Sequence, residues 1–221
     1  MEIHKDKPGT LFFVFFGLLS FVGTMSLYDR FGNLQMKMLA ASDNLLFCSD
    51  VSIFYSLLLT FICIPYTVRK VITSKGYQGR LQLPLSLILL VVGLTLLCNA
   101  FFQYQNIGKN SIVMREGLIS STKHYDMEDV TSVHAYYQKG LKGALYLKYD
   151  LTLNDGKKID AALSDEFYNK ADELDKLLQR QGIHIERSGI KKKDQAQLEK
   201  HAGSKANYKV VKRILTGTNH R

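Results

Sequence analysis

Cysteine is scarce in this 221-residue chain, and none of it is placed for chemistry. Cys48, Cys63 and Cys98 each lie in or at the edge of an apolar segment, with no CxxC pair and no neighbouring histidine. That arrangement excludes the usual zinc motifs and reads as buried free thiols. No cysteine follows Cys98, so the second half of the chain says nothing about a redox compartment. Six histidines (His4, His124, His134, His184, His201 and His220) are scattered without HxxxH or HExxH spacing, and no metal is expected. A nucleophile elbow and a phosphate-binding glycine loop are also missing. Asp126, Glu128 and Asp129 do cluster, but in a polar turn, whereas a catalytic carboxyl needs an apolar cleft to raise its pKa. The chain reads as non-catalytic, with no cofactor, small-molecule substrate or metal.

Charge is the next absence. Leu85 to Phe102 is eighteen residues without a charged side chain, about 27 Å as a helix and close to the hydrocarbon thickness of a bilayer. Leu11 to Tyr28 is a similar run, too long for a signal-peptide core and without a small-x-small cleavage site after it. Val51 to Val68 is a third, polar at its Ser49-Asp50 start and carrying Pro65 in its last turn. Tyr28, Tyr66 and Tyr104 stand at the ends of the runs, where an amphipathic ring prefers the headgroup layer. These features predict three transmembrane helices near 11–28, 47–68 and 84–104. Gly17, Ser20, Gly23, Thr24 and Gly93 would let the helices approach, and Asn99 is the candidate interhelical polar contact.

Orientation follows from Lys and Arg in short loops. Lys5 and Lys7 precede the first run, Arg30 and Lys37 follow it, and Arg69, Lys70, Lys75 and Arg80 lie between the second and third. The count puts the amino terminus and the second loop in the cytoplasm, and three spans of a multi-pass inner-membrane protein then put the soluble domain outside. Against this stands a carboxy-terminal tail with 9 basic and 2 acidic residues over 190–221, a charge of the kind that cytoplasmic leaflets attract.

Beyond the third run the period changes from helix to strand. Leu145, Leu147, Tyr149, Leu151 and Leu153 alternate with polar residues, Asn154-Asp155-Gly156 makes a hairpin turn, and Ile159, Ala161 and Leu163 resume the inward face. Ser111–Arg115 and Leu118–Lys123 flank Glu116-Gly117 as an earlier hairpin, with Val130–Gln138 as the strand between. Ser164 is placed to cap a helix with Asp165 and Glu166 in its first turn, and Phe167, Ala171, Leu174, Leu177 and Leu178 form its apolar stripe before Gly182 ends it. A short strand over Ile183–Arg187 follows. The expected organisation is a three-span region over 1–105, a soluble α+β domain over 106–189 and a basic tail over 190–221.

Strand, glycine turn, strand, then Tyr125-Asp126-Met127-Glu128-Asp129-Val130-Thr131-Ser132-Val133, the leucine-rich strand, the Asp155-Gly156-Lys157-Lys158-Ile159 turn and an amphipathic helix resemble the pleckstrin-homology-like domain of bacterial membrane proteins. The resemblance covers roughly 108–181 and implies a curved antiparallel sheet or partial barrel capped by one helix, although five strands precede the helix here where that fold usually has seven. It carries over no phosphoinositide pocket, because the first hairpin offers only Lys109, Arg115 and Lys123 with Glu116 among them.

In the tail, Tyr208, Val211, Ile214 and Leu215 share one helical side and Lys209, Lys212 and Arg213 the other. This reads either as a solvated extension or as a short basic amphipathic segment, with those three cations the candidate contacts to anionic lipid. Nucleic acid is not expected, since no folded reader or row of stacking aromatics accompanies the charge. Two functions remain open. One is a membrane-anchored module that docks a protein partner or copies of itself at the membrane surface; the other is an accessory subunit of a transporter or cell-envelope complex that acts through its transmembrane helices.

Overall fold

A computed structural model of the chain describes residues 8–49, 52–73, 77–140, 143–202 and 204–217. His4, Lys5, Lys7, Asp50, Val51, Lys75 and His220, all used in the sequence reading, lie outside the described residues. The chain divides into two units. The first holds the helical segment up to Leu39, Ser49–Tyr104 and Arg115–Ser121; the second holds Ala40–Cys48, Gln105–Met114 and the chain from Thr122 onward.

The first unit contains α1 (Pro8–Leu39), α2 (Ser52–Thr73) and α3 (Tyr77–Phe101). Among the described residues two helices, over Ser52–Arg69 and Pro84–Phe101, are long and apolar enough to cross a membrane; three were expected. Those windows are only 33% and 17% buried, the reverse of a helix in a soluble core. Side chains such as Ile62, Val68, Ile88 and Val91 point outward. The boundaries also move. The second apolar run begins at Ser52 rather than 47, the third ends at Phe101 rather than 104, and the described residues of the expected loop over 69–83 are helical, with Pro84 tolerated inside α3. Helix α1 continues past Tyr28 to Leu39.

Small and hydroxylated residues join the helices. Ser20 donates to the Phe61 carbonyl (3.0 Å), Thr67 donates to the Ser86 carbonyl (3.1 Å), and a Cβ on Gly93 would sit 3.2 Å from Thr60 Oγ1. Gln35, fully buried, donates through Nε2 to the Phe101 (2.7 Å) and Gln103 (3.1 Å) carbonyls. It thereby satisfies acceptors that the end of α3 leaves without intrahelical partners. Asn99 does not make the interhelical contact expected of it. It lies within the last turn of α3, and its Oδ1 accepts instead from the Leu118 backbone N–H (3.0 Å).

Strands β1 (Asn44–Ser49), β2 (Gln103–Gly108), β3 (Ser111–Glu116) and β4 (Lys123–Asp126), most of whose residues belong to the second unit, form one four-stranded sheet in that order. The second sheet, in the order β7-β6-β5-β8, is built from β5 (Val130–Lys139), β6 (Leu145–Leu153), β7 (Lys158–Asp160) and β8 (Ile185–Arg187). Neither closes into a barrel. Strands β5, β6 and β7 are antiparallel, with Ala135 opposite Tyr149 and Leu151 opposite Ile159, whereas β8 joins β5 in parallel. Helices α4 (Phe167–Arg180), α5 (Gln195–His201) and α6 (Lys205–Thr216) complete the unit. One core takes Leu45 and Leu46 of β1, Ile112 of β3, Tyr149 and Leu151 of β6, Phe167 and Leu174 of α4, and Ile214 and Leu215 of α6.

Several local expectations are corrected. The first hairpin pairs Met114 with Lys123 and Ser111 with Asp126, so residues 118–122 belong to a loop and not to a strand. Arg115 holds that loop by donating to the Gly117 (3.0 Å) and Leu118 (2.9 Å) carbonyls. Leu163 ends a 3-10 turn over Ala161–Leu163 and is 52% exposed, because the turn breaks the strand alternation after Ile159. Ser164 does not cap α4 directly. Its hydroxyl accepts from Glu166 N–H (3.3 Å) and its carbonyl from Phe167 N–H (3.0 Å), so the helix starts at Phe167 and Asp165 and Glu166 precede it. The tail is not a solvated extension over its described part. Its α6 is capped by Ser204, whose hydroxyl accepts from Asn207 N–H (3.0 Å), and is closed by Gly217 at φ 69°.

Cys48 lies in β1 and is 3% exposed. Burial, with Asp160 and Asp165 nearby, pushes its thiol up to about 12 from an ordinary 9.0. A folded-state value above the unfolded one stabilises the fold fully below pH 9, and that stability is lost as pH rises toward 12. Thermal melting of the detergent-solubilised chain, followed by circular dichroism, should therefore fall between these values, with up to about 4 kcal/mol at stake. Cys48→Ala should flatten this decline. An equally steep decline in the variant would show that Cys48 is not its source.

Candidate functional site

Two adjoining helix faces beside a folded core make the site. The spacing of Val211, Ile214 and Leu215 lays them into the core, with Tyr208 packed at its edge. The next positions around α6 then face outward: Lys205, Lys209 and Lys212, at i, i+4 and i+7, fall along one side. Helix α4 repeats the logic. Its Phe167, Ala171, Leu174 and Leu178 are buried, while Asp172, Asp175, Lys176 and Gln179 share another face. The two faces, with Glu199 of α5, line a cleft of about 780 Å³, within the size range of ligand and peptide sites.

Charge in the cleft is unevenly satisfied. Asp172 is paired with Arg213. Asp175 is paired with Arg187 at 2.7 Å and also accepts from the Tyr149 hydroxyl. Arg187 in turn donates to the Ile214 carbonyl, so one carboxylate ties β6, α4, β8 and α6 together. The Tyr149 phenol is held above its ordinary pKa, first by burial and then by the neighbouring Asp175 charge. Among the described residues, Lys176, Lys205, Lys209 and Lys212 have no carboxylate within salt-bridge distance, and the buried Tyr208 hydroxyl has no hydrogen-bond partner. The cleft therefore presents four ammonium groups, with Glu199 as a carboxylate in the same lining. It holds no nucleophile and base in contact.

The three cations singled out in the tail are thus brought together along one cleft. Lys209 and Lys212 are exposed along the cleft, whereas Arg213 is turned to Asp172. The apolar stripe expected to enter lipid is occupied by the protein core, so a contact of these lysines with lipid would be ionic alone. Lys176, Lys205 and Asp172 escaped the sequence reading, although the α4 face opposite its apolar stripe carried the signal. The acidic group at 126–129 organises a turn: Asp129 accepts from Asp126 N–H (2.8 Å) and from Asn154 Nδ2 (2.7 Å). A smaller cleft of about 420 Å³ beside His134 and Tyr136 has its Tyr137 phenol committed to Asp194 at 2.8 Å.

The architecture defines a mixed helix-and-sheet protein with two membrane-length apolar helices and a lysine-lined cleft in its sheet-bearing unit. No protein-family model, curated protein or solved structure matches the chain.

Arg187→Met tests the ion pair under the cleft. It leaves Asp175 without its cation in a site where the side chains are only 14% and 17% exposed, and should cost about 2–4 kcal/mol by denaturant melting of the full chain. A loss near zero would show that solvent, not Arg187, balances the carboxylate.

Proposed function

We propose that this chain is a membrane-anchored, non-catalytic interaction module. Its helices, α1 included, hold it in the bilayer, and its α4–α6 cleft docks an acidic segment of a protein partner. The observation that carries the reading is the set of four lysines left without carboxylates around the cleft, on a chain whose apolar helices keep most of their surface uncovered. An uncovered surface of that composition calls for lipid. A pleckstrin-homology-like fold for the sheet-bearing unit is consistent with the run of antiparallel strands β3 to β7 followed by α4, although the sheets stay open. The positive residues of the amino terminus and of the α2–α3 connection support a cytoplasmic position for both, with the cleft-bearing unit on the outer face.

Carbonate washing should leave the chain in the membrane, and a carboxy-terminal reporter that works only outside the cytoplasm should be active. Release without detergent would end the anchored reading, and a silent reporter would reverse the sidedness.

The cleft is tested with a fluorescent hexaglutamate peptide titrated against the full chain in neutral lipid nanodiscs. Binding should weaken with salt. The double change Lys209→Glu and Lys212→Glu should weaken it about tenfold or more, each exposed charge contributing a fraction of a kcal/mol. Lys158→Glu, at the start of β7, should leave it unaltered. Equal losses in both variants would mean that net charge, not the cleft, holds the peptide.

A further inference from the structure

Ile119 is 97% exposed and Leu118 beside it is 40% exposed, an apolar pair at the tip of the β3–β4 loop. The loop belongs to the same unit as α3 and is fastened to that helix's last turns. Leu118 N–H donates to Asn99 Oδ1 (3.0 Å), and the Arg115 guanidinium lies over the Phe102 ring at 4.6 Å from its centroid. Gly117, at φ 129°, passes so close to the Asn99 amide that a Cβ would collide with it. The tip is thus held beside the end of an apolar window whose Val92 and Leu96 face outward.

Part of the loop backbone is satisfied from within. The Gly117 carbonyl accepts from Arg115 Nε and from Ser120 Oγ (both 3.0 Å), the Leu118 carbonyl accepts from Arg115 Nη2 (2.9 Å), and Glu116 N–H donates to Ser120 Oγ (2.9 Å). These bonds lower the cost of bringing that part of the loop toward a medium poor in hydrogen-bond partners. Ser120, Ser121, Thr122 and Arg115 flank the apolar pair with groups suited to the headgroup layer.

We propose that Leu118 and Ile119 form a second membrane contact, a loop tip seated in the acyl boundary of the bilayer beside the end of α3. The proposal rests on the anchored reading given above. It makes the hairpin a depth stop, fixing where α3 leaves the lipid, with the Asn99 amide as the link between span and loop.

The chain contains no tryptophan, so single-tryptophan variants report one position each. Ile119→Trp, Leu96→Trp and Asp155→Trp full-length chains would be reconstituted in phosphatidylcholine vesicles carrying brominated acyl chains. Quenching and a blue-shifted emission at position 119 should approach those at 96, while position 155, on the β6–β7 turn, stays at background. An indole itself favours the headgroup layer, so Ser121→Trp, which leaves Ile119 in place, is read in parallel and should be quenched to an intermediate degree. Quenching at 96 with background values at 119 and 121 would overturn the seated loop and leave the anchored reading intact. Background values at 96 as well would remove both.

Discussion

The carboxylate of Asp175 is the point on which the sheet-bearing unit depends. It accepts the phenol of the buried Tyr149 and the guanidinium of Arg187, and Arg187 also donates to the Ile214 carbonyl. A carboxylate only 17% exposed is held at least cost when both its Coulombic and its hydrogen-bonding demands are met. Meeting them requires β6, α4, β8 and α6 to arrive in one arrangement. The apolar core beneath could accommodate small slides between helix and sheet, whereas the ion pair with its two added bonds cannot.

That constraint shapes the cleft above it. Because Asp175 and Asp172 are already matched to arginines, the lysines facing them across the cleft are left for something else. The stability of the unit and the charge presented by its cleft are therefore linked through the same two carboxylates, although the residues that stabilise and the residues that face solvent are different.

Hydrogen-bond satisfaction governs the helical unit as well, with a different solution at each place. Gln35 meets the carbonyls at the end of α3, Ser20 and Thr67 bond across helices, and Arg115 closes the loop that Asn99 receives. Apolar side chains on the outer faces supply no such direction. Short polar groups at a few positions set where the helices approach and where they end.

The sequence alone determined what depends on neighbours along the chain. The alternation through Leu145–Leu153, the stripe of α4, the stop at Gly182 and the two long apolar windows were all legible, because a strand or helix face is written at fixed spacing. The buried half of α6 was legible as a stripe, but not what it packs against. Tertiary structure decided the rest. The end of strand β1, from Phe47, read as the start of a transmembrane run, since a strand buried on both faces has no alternation to distinguish it from helix. It became a strand only through β2 beside it. Asn99 bonded a loop rather than a helix because the β3–β4 turn came to rest against the last turn of α3. The cleft was out of reach for the same reason: Asp172 and Lys209 lie on helices whose proximity is set by a core, and no spacing along the chain encodes which faces two helices will turn toward each other.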